Sequence, residues 1–221
     1  MKKVICTLGF MLLFISAYSQ LMDLPGEYIR QKVVNRNLPS NTKGSPYYND
    51  SFILGKVYTN ENKFFEALLR YDAYNDEMQM KQNGNIIALL KFENGKVEID
   101  NKTYEALSYT DDKGSNEIGY FENLTKPGNT KLLLHKSKKF VEGTKAQNSY
   151  TSDKPAMFKD DINYYLNKEG TLNLIKLSKK NILKLLSDKK KELDSYVSEN
   201  KLKLRDELDF VQLINFYNSL Q

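Results

Sequence analysis

The chain has 221 residues, with 33 Lys and Arg against 28 Asp and Glu, a formal charge of +5, one cysteine and one histidine. So mild a positive excess demands no polyanionic partner, and only Arg30, Arg36, Arg70 and Arg205 carry the guanidinium fork that suits phosphate and guanine, so nucleic-acid binding is not expected. A lone Cys6 and a lone His135 exclude a disulfide scaffold, a cysteine-ligated zinc site and a two-histidine zinc site.

The chain opens with a basic pair, Lys2 and Lys3, followed by an apolar run over residues 4–15. Ala17 and Ser19 then stand at the −3 and −1 positions of a small-residue cleavage site. That order predicts a signal peptide over 1–19 and Gln20 as the first mature residue. The run of about a dozen residues is short of the roughly 20 that a membrane span needs. Cys6 lies too early to be a lipidated cysteine, because Lys3 and Val4 precede it where the apolar region should be. No second apolar run of membrane length follows, so no transmembrane segment is expected in the mature chain. Export would remove Cys6 and with it any thiol chemistry.

Residues 20–50 form an N-terminal segment and loop. Residues 26–35 are compatible with a short helix, and 35–50 are rich in Asn, Pro, Ser and Gly. From residue 51 the pattern changes to short β-type segments set off by turn residues: 51–59, 63–74, 77–82, 85–93, 96–99 and 103–109. Asn83-Gly84 and Asn94-Gly95 suit turns whose central residues need positive φ. Strands continue over 117–123 and 130–141. After a loop at 142–156, a last hairpin runs over 160–166 and 171–177, turned at Lys168-Glu169-Gly170. The span 51–177 therefore reads as one antiparallel β domain. Within it Gly55-Lys56-Val57 and Glu66-Ala67-Leu68 are echoed by Gly95-Lys96-Val97 and Glu105-Ala106-Leu107. Phe65 and Tyr104 precede the later triplets. Two ordinary hairpins of similar length explain this as simply as a duplication does.

Over 178–221 the apolar period becomes helical. Ser178 is placed to cap a helix over 179–186, and Ser187-Asp188 one over 188–200. A third helix over 206–220 carries Phe210, Leu213, Ile214, Tyr217 and Leu220 as one stripe that should pack on the sheet. The expected fold class is α+β, mainly β: an antiparallel meander sheet, open to curling or a half-barrel, with C-terminal helices packed on it.

Chemistry is sparse. His135 sits among lysines with no acidic residue beside it in sequence, so any triad would need a partner from a distant segment. Asp72 and Asp76 bracket a turn, and Asp160 and Asp161 open the late hairpin. Paired carboxylates can bind calcium or hydrolyse glycosides, but the regular calcium-loop spacing is missing. There is no phosphate-binding glycine loop and no Gly-x-Ser-x-Gly elbow. No catalytic residue, metal site or cofactor is assigned. Aromatics are plentiful, with 15 Tyr and 11 Phe. Tyr47-Tyr48, Phe64-Phe65, Tyr120-Phe121 and Tyr164-Tyr165 are adjacent pairs, and on a strand each pair places a ring on both faces of the sheet. Both faces then need cover. The helices supply one, and a second sheet, a partner or a ligand cavity the other.

The stretch Gly44-Ser45-Pro46-Tyr47-Tyr48, Phe52, Gly55, Val57 and residues 69–78 (Leu-Arg-Tyr-Asp-Ala-Tyr-Asn-Asp-Glu-Met) resembles a group of exported proteins of unknown function from Bacteroidetes-type bacteria. So does the tail, with Ser178-Lys179-Lys180, Tyr196, Asn200-Lys201-Leu202 and Tyr217-Asn218. The resemblance spans most of the mature chain and brings no catalytic residues. It implies a Gram-negative envelope location, and the helical C-terminus, unlike the β-rich type IX sorting domain of that phylum, favours periplasm over extracellular release. The expected function is a non-catalytic exported envelope protein that binds an apolar ligand or a protein partner through its sheet. The alternatives are a carboxylate-based hydrolase of envelope polymers, using Asp72, Asp76, Asp160 or Asp161, and a purely structural protein.

Overall fold

The computed structural model describes residues 26, 29–33, 36–59, 63–111, 114–146, 148, 150 and 152–221. The expected signal peptide over 1–19 and the cleavage before Gln20 lie outside the described residues. Among the described residues eleven strands come first: β1 (Ile29–Lys32), β2 (Ile53–Tyr58), β3 (Phe64–Asp72), β4 (Glu77–Gln82), β5 (Asn85–Leu89), β6 (Lys96–Ile99), β7 (Lys102–Thr110), β8 (Asn116–Asn123), β9 (Thr130–Val141), β10 (Met157–Lys168) and β11 (Thr171–Ile175). Helices α1 (Lys179–Leu185), α2 (Lys190–Glu199) and α3 (Glu207–Ser219) follow, with a 3-10 turn at Ser187–Lys189 between α1 and α2. Among the described residues no helix is long and apolar enough to cross a membrane.

The strands form one antiparallel sheet in the order β1-β5-β4-β3-β2-β6-β7-β8-β9-β10-β11, open between β1 and β11. The mainly β architecture with helices packed on it is thus the one the sequence predicts. Three hairpins close on two residues that both have positive φ: Asn83-Gly84, Asp100-Asn101 and Glu169-Gly170. This backbone twist matches the twist of the flanking strands. Asn94-Gly95 does something else. It ends a turn inside the crossover that carries the chain from β5 to β6, on the far side of β2.

Among the described residues of 26–35, the expected short helix gives way to a strand over 29–32. Ile29–Lys32 is a strand that pairs with β5, with Gln31 opposite Ala88 and Lys32 opposite Ile87, and the Val33 N–H donates to the Ile86 carbonyl at 2.9 Å. The outer edge of β5 offers a ladder, and tertiary pairing overrides local preference.

The sheet is strongly curled. In a flat sheet β4 and β8 would stand five strand spacings apart, about 24 Å at roughly 4.8 Å each. Here Met78 and Met80 of β4, Val57 of β2, Val97 of β6 and Tyr104, Ala106 and Tyr120 of β7 and β8 share one buried cluster on the concave face. At the other end of the sheet, Leu132, Leu166 and Ile175 of β9–β11 are covered by Ile182, Leu186, Leu193, Phe210, Leu213, Ile214 and Tyr217 of the helical segment. The opposite face of β7–β10 carries a third, smaller cluster of Leu107, Phe121, Leu133 and Tyr165. Adjacent aromatics do divide between faces: Tyr120 lies in the first cluster and Phe121 in the third, Tyr164 against the second and Tyr165 in the third.

Helix ends follow the sequence in part. The Ser178 hydroxyl accepts the Asn181 N–H and caps α1. The Ser187-Asp188 cap is not made. Asp188 instead accepts Lys168 Nζ at 2.7 Å and the Tyr217 hydroxyl at 2.8 Å, tying α3 to the end of β10. Its carboxyl sits below the usual range because those two donors favour the charged form.

The echo over 55–68 and 95–107 is realised in register. Lys56 faces Glu66 and Gly55 faces Ala67 across β2–β3, while Lys96 faces Glu105 across β6–β7 and the Gly95 carbonyl accepts the Ala106 N–H. Val57 and Val97 oppose each other where β2 meets β6. The two hairpins therefore flank a local pseudo-twofold axis, with Phe65 and Tyr104 both turned to the concave core.

Candidate functional site

The ladder between β8 and β9 is short: only Glu122 opposite Leu134 and Asn123 opposite Leu133. Beyond it the strands part, and the β3–β4 turn, residues 73–76, fills the gap. The Lys138 N–H of β9 donates to the Ala73 carbonyl at 2.9 Å, and the Tyr120 N–H of β8 donates to the Asp76 carboxylate at 3.2 and 3.3 Å. Backbone groups left over by the split thus find partners in the turn, as buried N–H and C=O groups must. Pro46 in the preceding loop holds the turn from outside, its carbonyl accepting the N–H groups of Ala73 and Tyr74 at 3.0 and 3.3 Å.

Asp76 is the centre of this junction. Its φ of 51° is in the left-handed region, which Asp tolerates better than most residues. Besides Tyr120 N–H its carboxylate accepts the Tyr71 hydroxyl at 2.7 Å and Lys91 Nζ at 3.0 Å. His135 Nε2 of β9 lies 3.8 Å away, outside hydrogen-bond reach. Burial alone would raise the Asp76 carboxyl, but the His135 imidazole, the Lys91 ammonium and the Tyr71 hydroxyl outweigh it and hold the group below its ordinary value. Burial and the same carboxylate push Tyr71 and Tyr120 well up, and Tyr109 up to about 12, so all three phenols stay protonated at neutral pH.

His135 is 6% exposed and wedged between the rings of Tyr109 and Phe121, at 5.1 and 5.0 Å. A nucleophile–base pair through Nε2 would need a hydroxyl within hydrogen-bond reach, and among the described residues none is there. The acidic partner missing beside His135 in sequence is supplied by Asp76 from another strand end. Nε2 is also the nitrogen that faces Asp76, and among the described residues it has no hydrogen-bond partner. A cleft of about 510 Å³ opens next to Lys91, lined also by Asn75, Leu90, Ser108, Asn116, Glu117 and Ile118. It offers amides, one lysine and one glutamate; the Ser108 hydroxyl donates to the Glu93 carboxylate.

The other candidate carboxylates do not join this site. Asp72 is fully buried. It takes Arg36 Nη2 at 2.5 Å, Gln79 Nε2 at 3.0 Å and the backbone N–H groups of Tyr74 and Asn75, which close the turn. Asp160 and Asp161 are neighbours on β10, so they project to opposite faces and cannot act as a facing pair. They meet Lys138 at 3.5 Å and Lys139 at 2.8 Å. Each of the four carboxylates is matched to its own cation. Among the described residues no group of three or more His, Cys, Asp or Glu gathers as a metal-ligand set.

Lys91 and Gly119 are not among the residues singled out in the sequence, and Tyr71 stands there only within the 69–78 stretch. Gly119 was the usable signal, since glycine inside a strand marks a close approach. A Cβ there would lie 2.9 Å from Tyr109 Cε1 and 3.2 Å from Asp76 Oδ2.

Two further features bear on binding. Inside the curl, the apolar pocket among Val57, Leu89, Phe92, Val97, Ala106 and Tyr120 has only about 10 Å³ of free space, so the side chains fill it. On the convex face, Leu54 and Phe64 are 57% and 50% exposed, and the register sets Leu68 opposite Leu54 and Tyr58 opposite Phe64. Lys56, Glu66, Lys96 and Glu98 surround them, with Lys96 Nζ 2.7 Å from Glu98. Compared with family models, curated proteins and solved structures, the chain matches none.

Proposed function

We propose that this is a non-catalytic, exported envelope protein that docks a protein partner on the convex face of β2 and β3. The observation that carries this reading is the contrast between the two faces: the concave one is filled by its own side chains, whereas the convex one leaves Leu54 and Phe64 half exposed within a charged rim. An enclosed carrier of apolar ligands needs a cavity of some hundreds of Å³. A partner site needs an apolar patch with a polar border. The export signature at 1–19 and the resemblance to exported Bacteroidetes-type proteins support the envelope location, with periplasm favoured. A hydrolase reading is weakened by carboxylates that are neutralised one by one and by a histidine whose Nε2 meets no hydroxyl among the described residues.

The test is native mass spectrometry of the protein purified from its own envelope, as wild type and as the Leu54→Asp/Phe64→Asp double variant. A co-purifying protein that is lost in the variant, at an unchanged melting temperature, is the expected result. A bound lipid in the wild type, or a partner retained by the variant, would overturn the reading.

A further inference from the structure

The chain holds two Asn-Gly pairs, Asn83-Gly84 and Asn94-Gly95, and the fold treats them differently. In such a pair the glycine nitrogen can attack the asparagine side-chain carbon. The N–Cγ bond forms, the Cγ–Nδ2 bond breaks, and the amide leaves as ammonia with the glycine N–H proton. Water then opens the cyclic imide at either carbonyl, giving aspartate or isoaspartate with no change of oxidation state. The reaction needs an exposed, unhindered nitrogen and room for the side chain to swing onto it.

We infer that Asn83 is a site of spontaneous deamidation in the folded protein, and that the fold protects Asn94. Asn83 and Gly84 are the two exposed central residues of the β4–β5 hairpin, with φ of 49° and 75°. The ladder closes at Gln82 opposite Asn85, which leaves the Gly84 N–H outside it, and a Cβ built on Gly84 meets nothing within 4 Å. Gly95 is buried. Its nitrogen donates to the Phe92 carbonyl at 2.9 Å, and its Cβ position lies 3.0 Å from that same oxygen. The chain is pinned on both sides of the reacting bond, because Asn94 N–H donates to the Ala106 carbonyl at 2.8 Å and Gly95 O accepts the Ala106 N–H at 2.7 Å. Reaction at Asn94 therefore requires local opening of the crossover; reaction at Asn83 does not. Conversion at Asn83 places a new negative charge at the hairpin tip, and isoaspartate lengthens a turn that has room for only two residues.

The test is peptide mapping of the purified protein during incubation in mildly alkaline buffer, once native and once in concentrated urea. Chromatography separates the aspartate and isoaspartate forms. In the native protein the Asn83 peptide should convert at least about tenfold faster than the Asn94 peptide, since Gly95 must first give up a hydrogen bond and its buried seat. In urea the two rates should converge. Equal rates in the native protein would overturn the inference, and so would a preference for Asn83 that persists in urea, because the fold would then not be its cause.

Discussion

The two ends of the sheet are closed by different means. At the β9–β11 end, three helices lay Leu, Ile, Phe and Tyr side chains over Leu132, Leu166 and Ile175. At the β2–β8 end no helix among the described residues helps; the sheet rolls over itself, and a polar junction around Asp76 holds the roll against β8 and β9. Helical cover is tolerant, since apolar contacts are non-directional. The rolled end is exacting, since its hydrogen bonds must each find a partner in a gap between strands. The comparison teaches that one sheet can be stabilised mostly by area at one end and mostly by geometry at the other, and it can be broken at either.

The largest effect is expected at the helical end. Leu213 is fully buried in α3. Leu213→Asp should cost about 3–5 kcal/mol or more and abolish cooperative melting, because an unpaired carboxylate would enter an apolar core. Leu213→Ala should cost about 2–5 kcal/mol as a cavity. Chemical denaturation followed by circular dichroism reads both. An unchanged melting temperature for Leu213→Asp would mean that α3 does not close the core.

The rolled end should break at Asp76. Asp76→Ala strands the Lys91 ammonium and the Tyr120 N–H, and leaves the Tyr71 hydroxyl the Lys136 carbonyl at 3.0 Å as its acceptor. With a carboxylate side chain 17% exposed, the expected cost is about 2–4 kcal/mol. Asp76→Asn should cost less, since its amide oxygen still accepts. Because the folded carboxyl titrates below its unfolded value of about 4, its contribution is complete above that pH and is lost as pH falls through the folded titration. Asp76→Asn should flatten this acid limb of the stability curve. An acid limb identical to that of the wild type would show that the junction stores no carboxylate free energy.

The difference between the ends also explains what the sequence disclosed. The helices were legible because their apolar stripe is local, as with Phe210, Leu213, Ile214 and Tyr217 within two turns. The hairpins were legible because Asn-Gly, Asp-Asn and Glu-Gly turns announce positive φ. Strand β1 was not legible, since only the edge of β5 makes it a strand. Nor was the Asp76 junction: Tyr71 and Asp76 share the end of β3 and its turn, but Lys91, Tyr120 and His135 come from three other segments, and no spacing rule joins them. The same distance hid the fate of Asp72 and Arg36, which read as turn and loop residues and meet as a pair whose carboxylate is fully buried and whose guanidinium is part-buried.

The smallest expected effect separates the two echoed hairpins within the rolled end. Gly55 and Gly95 hold equivalent places, opposite Ala67 and Ala106, but their surroundings differ. At Gly55 an added Cβ would press on the Glu98 carbonyl oxygen, lie 2.9 Å from Leu69 Cδ1 and lie 3.4 Å from Ile99 Cβ, so the β2–β6 ladder would have to widen. At Gly95 the nearest atom is the Phe92 carbonyl oxygen at 3.0 Å, in a crossover turn, with the Phe92 ring at 3.3 Å. A turn can shift more easily than a strand paired on both sides. Gly55→Ala should therefore cost about 1–3 kcal/mol, the range for overpacking a close-packed site, and Gly95→Ala less than about 1 kcal/mol. Neither glycine has positive φ, so the difference reports space rather than backbone strain. Equal melting temperatures for the two variants would mean that β2 and β6 separate as readily as the turn yields, and that the pseudo-twofold axis between Val57 and Val97 is not the rigid centre of the roll.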